Sequence, residues 1–212
     1  MSYRFGDLRI DKVGVVGSGN IGPDIALFFA KAFHAHGVPV VVVDVADEAV
    51  ARGRAKAEQK IAKGRESGAF RPDAAEAMSR CLTFTTDYAQ LSGASLVIEA
   101  ATEDLGIKRK IFTQLESLCG ATAILASNSS HIEPDEIFLP LAPSTRSRAA
   151  VIHYFFPAER NLLVEIVPGR ETLPAHIIAL MGLYEEIGKI PVRVGGRFGY
   201  AVNPVFEGLF LA

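Results

Sequence analysis

The stretch VGVVGSGNIGPDIALFFA, Val13 to Ala30, passes from a short apolar run through a glycine-rich turn into a segment of helical period. Gly17, Gly19 and Gly22 form G-x-G-x-x-G between a strand and a helix. In that setting the first glycine permits a tight turn, the second lets the backbone approach a pyrophosphate, and the third allows close packing of helix on strand. The helix N-terminus then favours the anion. Asn20 and Ile21, between the second and third glycines, complete the candidate loop. Pro23 is tolerated in a first helical turn, where its missing amide has no intrahelical acceptor. Asp44 ends the next apolar run, where a carboxylate would accept hydrogen bonds from an adenosine ribose and repel a 2′-phosphate. A glycine triplet alone is a weak sign. Strand, triplet, helix, strand and acid together predict a dinucleotide site that takes NAD rather than NADP, against the plainer reading of a glycine-rich turn beside a solvated Asp44.

Outward from this unit the same alternation continues. Near-continuous apolar runs at 12–16, 39–45, 95–100 and 123–127 have the character of strands covered on both faces. Helical segments are expected at 20–36, 47–66, 73–80 and 107–118. Strand and helix in alternation imply an α/β fold, a Rossmann-type doubly wound and mostly parallel sheet. Residues 47–80 are too long for one crossover helix and break at ESGAFRPD, which predicts a two-helix excursion after the second strand. Beyond residue 148, RAAVIHYFF, LLVEIVPG and IPVRV, with a helix at 174–187, extend the sheet. Residues 1–198 are thus one domain. An amphipathic helix from Val202 to Leu211 needs a surface to pack on, so 199–212 is expected to begin a helical domain that the chain does not contain.

Composition narrows the function. The chain has 212 residues, a formal charge of −2 and 49% hydrophobic content, enough to bury a sizeable core and without the basic excess of a nucleic-acid partner. It has no apolar run of membrane-spanning length and no signal-peptide core at its start, so a cytoplasmic enzyme or binding module is expected. Cys81 and Cys119 are two and widely spaced, which suits reduced core thiols and no metal site. Arg52, Lys56, Lys60 and Lys63 recur at spacings of four, four and three on one helix face. They form either a solvated stripe or a landing strip for an anionic ligand such as a phosphorylated carrier.

VIHYFFPAERNLLVEIVPG, 151–169, places His153 and Glu165 in apolar strands. A lone strand histidine is usually a satisfied core residue. A buried carboxylate without a partner is costly, however, and pairing the two satisfies both. The same pairing is what a proton-transferring histidine needs, because the carboxylate sets its tautomer and stabilises the imidazolium.

With GSGNIG, VIEAATEDLGIKRKIF, ASNSS, HYFFP, LVEIVPG, IGKIPV and FGYAVN in this order, the sequence resembles the L-3-hydroxyacyl-CoA dehydrogenases over essentially its whole length. The resemblance implies an NAD-dependent oxidation of the 3-hydroxyl of an acyl-CoA, or the reverse reduction, and a homodimer in the complete protein. It implies His153 as general base and Glu165 as its orienting partner. Ser130 and Asn203 would hydrogen-bond the substrate oxygen and the surroundings of the histidine, with Ser130 also near the cofactor. Glu103 and Lys108 match positions that contact the cofactor. Each has a plainer reading: Ser130 or Asn203 as a helix cap, Glu103 and Lys108 as a surface pair. His131 is read as a bystander.

The match also breaks in places. The family usually reads H-F-F-N-P after the histidine, where this chain has Tyr154, Phe155, Phe156 and Pro157; Phe156 offers no amide near the nicotinamide. Phe198 stands where proline is usual and Pro204 where arginine is usual. These differences keep two other readings open, a dehydrogenase of a small free hydroxy acid and a non-catalytic NAD-binding module. Lacking the helical domain, the segment is expected to bind NAD and to turn over poorly.

Overall fold

The computed structural model describes residues 2–211; for Phe206, Glu207, Leu209, Phe210 and Leu211 it gives the backbone alone. The glycine-rich stretch forms β3 (Val13–Val16), a turn and α1 (Gly22–Phe33), followed by β4 (Val40–Val43). The predicted excursion is α2 (Asp47–Glu66) and α3 (Pro72–Cys81). Acids in the first turn of α2 and bases in its last complement its dipole. Next come β5 (Leu82–Thr85), β6 (Leu96–Glu99), α4 (Leu105–Leu118) and β7 (Ile124–Ser127). Asp104 caps α4 by accepting the Ile107 amide at 2.8 Å. After short helices α5 (Pro134–Ile137) and α6 (Pro143–Arg146) the chain forms β8 (Ala149–Tyr154), β9 (Leu163–Pro168), α7 (Pro174–Glu186), β10 (Ile190–Arg193) and α8 (Val202–Leu211). A hairpin of β1 (Tyr3–Phe5) and β2 (Leu8–Ile10) precedes them.

The eight-stranded sheet has the order β10-β9-β8-β7-β6-β3-β4-β5. Every neighbouring pair is parallel except β8 and β9. The sheet is covered on both faces, as the apolar runs require: Val40 and Val42 belong to one core, with α1 and α7, while Val41 and Val43 belong to the other, with α4.

β5, the first hairpin and the short helices α5 and α6 are not among the elements the sequence predicts. β5 reads LTFT and lies at the sheet edge, where only part of a strand is covered and no continuous apolar run is needed. The hairpin turns at Gly6, with φ 54°, and its Phe5 ring packs against α7 at Gly182. Cys81 and Cys119 are buried free thiols, as expected.

Candidate active site

The chain runs from β3 to β4 on one side of the sheet and later returns to β6 on the other side of β3. Loops leaving neighbouring strands in opposite directions open a crevice at their carboxyl ends. A cleft of about 780 Å³ lies there, lined by Gly17, Gly19, Asn20, Ile21 and Asp44 on one side and by Ala100, Ala101 and Thr102 on the other. The three glycines differ in what surrounds them. Gly17 has φ 104°, and a Cβ there would lie 2.6 Å from the Ala100 carbonyl oxygen; a Cβ on Gly22 would lie 1.9 Å from the Gly17 carbonyl oxygen. A Cβ on Gly19 would meet nothing within 4 Å. Gly17 and Gly22 therefore serve the turn itself, and Gly19 leaves open space facing the cleft. Asp44 accepts the Ser18 amide at 2.7 Å and the Ala46 amide at 3.1 Å, which aligns a carboxylate with spare lone pairs on the cleft wall. This combination of open backbone, helix start and fixed acid fits NAD.

A second cleft, of about 460 Å³, shares Ile21 with the first and is lined by Asn128, Ser130, His131, His153, Phe155, Phe156 and Asn203, with Tyr154. β8 and β9 bring His153 and Glu165 opposite each other in register. His153 Nδ1 lies 2.8 Å from Glu165 Oε2, and both side chains are buried. Glu165 Oε1 accepts the amides of Ala201 and Val202 at 3.1 and 3.0 Å. Burial would raise the Glu165 pKa, but the hydrogen bond from His153 and the two amides outweigh it and hold the carboxyl below its usual range. An ionised Glu165 can only accept, so Nδ1 carries the proton and Nε2 of the neutral ring keeps a lone pair. The imidazole is held between the rings of Phe155 and Tyr200, at 4.5 and 5.7 Å between centroids.

Ser130 joins this cleft with its backbone pinned on both sides: its amide donates to Glu103 Oε1 at 2.9 Å and its carbonyl accepts Asn203 Nδ2 at 3.1 Å. The local turn is made by Ser129, whose Oγ accepts the Ile132 amide, so Ser130 is not the cap. Asn203 lies inside the first turn of α8, one residue past its start, and so is not an N-cap either. Glu103 and Lys108 are not a surface pair. Lys108 is 1% exposed, with Nζ 3.0 Å from both oxygens of Glu99 and 3.2 Å from Glu103 Oε2. Glu99 is the residue the sequence reading passed over. Its signal was a lone acid ending an otherwise apolar strand.

The basic stripe divides. Arg52 and Lys63 are exposed, whereas Lys56 and Lys60 bind the buried Asp24 at 2.8 and 2.9 Å, and Lys60 also binds Glu159 at 2.5 Å. Neither the solvated stripe nor the open landing strip describes all four. Lys56 Nζ also lies 5.2 Å over the ring of Phe156, which projects from the second cleft at 63% exposure. Among the described residues no cluster of His, Cys, Asp and Glu is suited to a metal, and no helix is long and apolar enough to cross a membrane.

The family model of the 3-hydroxyacyl-CoA dehydrogenase NAD binding domain matches residues 12–197. The peroxisomal bifunctional enzyme of Homo sapiens is 33% identical over 196 residues, covering 92% of this chain and 26% of the human protein. The chain spans about a quarter of the length of the curated relatives it matches. Among solved structures, M. tuberculosis FadB2 superposes with a TM-score of 0.87 at 32% identity, over 95% of this chain and 70% of that one. An NAD+-dependent dismutase, 5-formyl-3-hydroxy-2-methylpyridine 4-carboxylic acid 5-dehydrogenase, superposes with a TM-score of 0.83 at 27% identity, over 95% and 63%.

Proposed function

The chain belongs to the 3-hydroxyacyl-CoA dehydrogenase family as an NAD-binding domain, and from that premise we propose that it takes part in oxidising the 3-hydroxyl of a 3-hydroxyacyl-CoA, or in the reverse reduction. The observation that carries the reading is the buried His153–Glu165 pair opening on a cleft that adjoins the glycine loop at Ile21. Gly17, Gly19, Asn20, Ile21, Gly22 and Asp44 hold the cofactor, with Glu103 at the edge of the crevice and Lys108 behind it. NAD, when bound, supplies the hydride acceptor. His153 Nε2 takes the hydroxyl proton as the carbinol carbon loses hydride, and the resulting imidazolium is stabilised by ionised Glu165. Ser130 and Asn203 orient the substrate oxygen against the histidine. The homodimer and the cytoplasmic location expected from the sequence belong to this proposal.

One set of observations favours a second reading, a free hydroxy acid as substrate. Lys56 and Lys60 are occupied by Asp24 and Glu159, Phe156 replaces a polar residue at the cleft, and a structural neighbour carries the name of a pyridine carboxylic acid dehydrogenase. NADH absorbance followed with acetoacetyl-CoA, in the natural polypeptide and in His153→Ala, separates the two. Consumption that vanishes in the variant supports the thioester reading. NADH that binds without being consumed removes it and leaves the free acid to be tried.

A further inference from the structure

Glu99, the last residue of β6, is fully buried, and both its oxygens are used twice. Oε1 accepts the Ala101 amide at 2.8 Å and Lys108 Nζ at 3.0 Å; Oε2 accepts Lys108 Nζ at 3.0 Å and Ser127 Oγ at 2.6 Å. These bonds join three pieces of backbone that frame the crevice: the loop after β6, the first turns of α4, and the end of β7. Lys108 then reaches Glu103 Oε2 at 3.2 Å. Glu103 Oε1 gathers three donors, Ser129 Oγ at 2.5 Å, the Ser130 amide at 2.9 Å and the His131 amide at 3.1 Å.

We propose that Glu99 is a positioning residue for Ser130, acting through Lys108 and Glu103. The inference rests on the dehydrogenase reading given above.

Two carboxylates share one ammonium in this chain, and the surplus negative charge is met by the amides of Ala101, Ser130 and His131. Burial alone would raise the Glu103 pKa; the Ser129 hydroxyl, Lys108 and the two amides hold it below the usual carboxylate range. Glu103 is thus an ionised acceptor whose place is set from beneath by a lysine that is itself held by Glu99. Without Glu99, Lys108 is a buried ammonium whose one remaining carboxylate is Glu103, and it must draw Glu103 inward. The Ser130 amide loses its acceptor, while Asn203 still pulls on the Ser130 carbonyl from the other side. Ser130 then turns in the cleft although no group that touches substrate has been changed.

A merely stabilising role makes a different prediction. A buried ion pair can be replaced by well-packed apolar residues with stability kept, but apolar residues cannot hold Glu103 under the Ser130 amide. Glu99→Gln and the double variant Glu99→Met, Lys108→Met are therefore compared with the natural protein for thermal midpoint, NADH affinity, turnover of acetoacetyl-CoA, and hydrogen exchange of the Ser130 and His131 amides. The expected result is kcat lowered about tenfold or more in both variants, with KM little changed and, in Glu99→Gln, NADH affinity little changed. Exchange should quicken at the Ser130 and His131 amides, and the double variant should recover the thermal midpoint without recovering kcat. Full recovery of kcat in the double variant overturns the inference. Should the natural protein consume no NADH, the dehydrogenase reading fails, and the amides decide separately: unchanged exchange in Glu99→Gln still overturns the role of Glu99 in holding this loop.

Discussion

His153 and Glu165 are Cα partners across the antiparallel β8–β9 pair, and the Nδ1 to Oε2 distance of 2.8 Å fixes the tautomer of a histidine that opens on the cleft. Removing the base, His153→Ala, should lower kcat by about 10²–10⁴-fold with NADH affinity unchanged. Glu165→Gln should keep the ring in place but lose the stabilised imidazolium, at a smaller cost. Steady-state kinetics beside NADH fluorescence titration check both. Loss of cofactor binding in step with kcat would point to damage to the fold.

The same carboxylate makes a pH prediction. A pKa held below that of the unfolded chain contributes stability that is present above the unfolded value and is lost as pH falls through the folded one. The natural protein should therefore lose thermal stability relative to Glu165→Gln as pH falls below about 4.3. Melting curves of the two proteins across the acid range give the difference directly.

Gly19→Ala and Gly22→Ala should fail in opposite ways. The Gly22 Cβ would collide with the Gly17 carbonyl oxygen at 1.9 Å, whereas the Gly19 Cβ meets nothing within 4 Å. Gly22→Ala should destabilise the fold by about 1–3 kcal/mol, and Gly19→Ala should keep the melting temperature while weakening NADH binding. A melting scan and a titration of each variant suffice. Equal destabilisation would mean that Gly19 serves the turn and not the cofactor.

Lys60 and Arg52 share a helix face, yet substitution should separate them. Lys60→Gln leaves Glu159 without its cation and Asp24 with Lys56 alone and should destabilise by about 1–3 kcal/mol, because a largely buried carboxylate left without its partner is costly. Arg52→Gln, at an exposed position, should leave the melting temperature where it was. Chemical denaturation of both variants is the measurement.

Lys189 is 5% exposed and donates to the carbonyls of Ala158 and Asn161, and burial lowers its pKa from 10.5 to about 8. Between those values the unfolded chain binds the extra proton, so this residue's contribution to stability increases as pH rises from about 8 to 10.5. Lys189→Met should lose that rise, and the difference in unfolding free energy between the proteins, measured across alkaline pH, should grow in favour of the natural one.

What the sequence made legible depended on local rules. The limits of α2 follow from its acids, bases and the Gly68–Pro72 break, and the glycine loop follows from steric needs that operate within a few residues. The His153–Glu165 pairing was foreseen because an apolar strand cannot keep a carboxylate without a partner, even with eleven residues between the two. β5 was missed because an edge strand does not need a continuous apolar run, and the first hairpin because its apolar residues find their cover on the distant α7.

The sequence by itself determined the parallel sheet, the nucleotide loop and the identity of the paired histidine and acid, since each rests on periodicity, backbone sterics or the cost of burying charge. Only the tertiary structure decided which cations meet which carboxylates. Lys56 and Lys60 turned from members of a basic stripe into partners of Asp24 and Glu159, and Lys108 became the buried link between Glu99 and Glu103. Periodicity assigns a side chain to a face of its helix. The burial and pairing of its charge depend on what the rest of the chain places against that face.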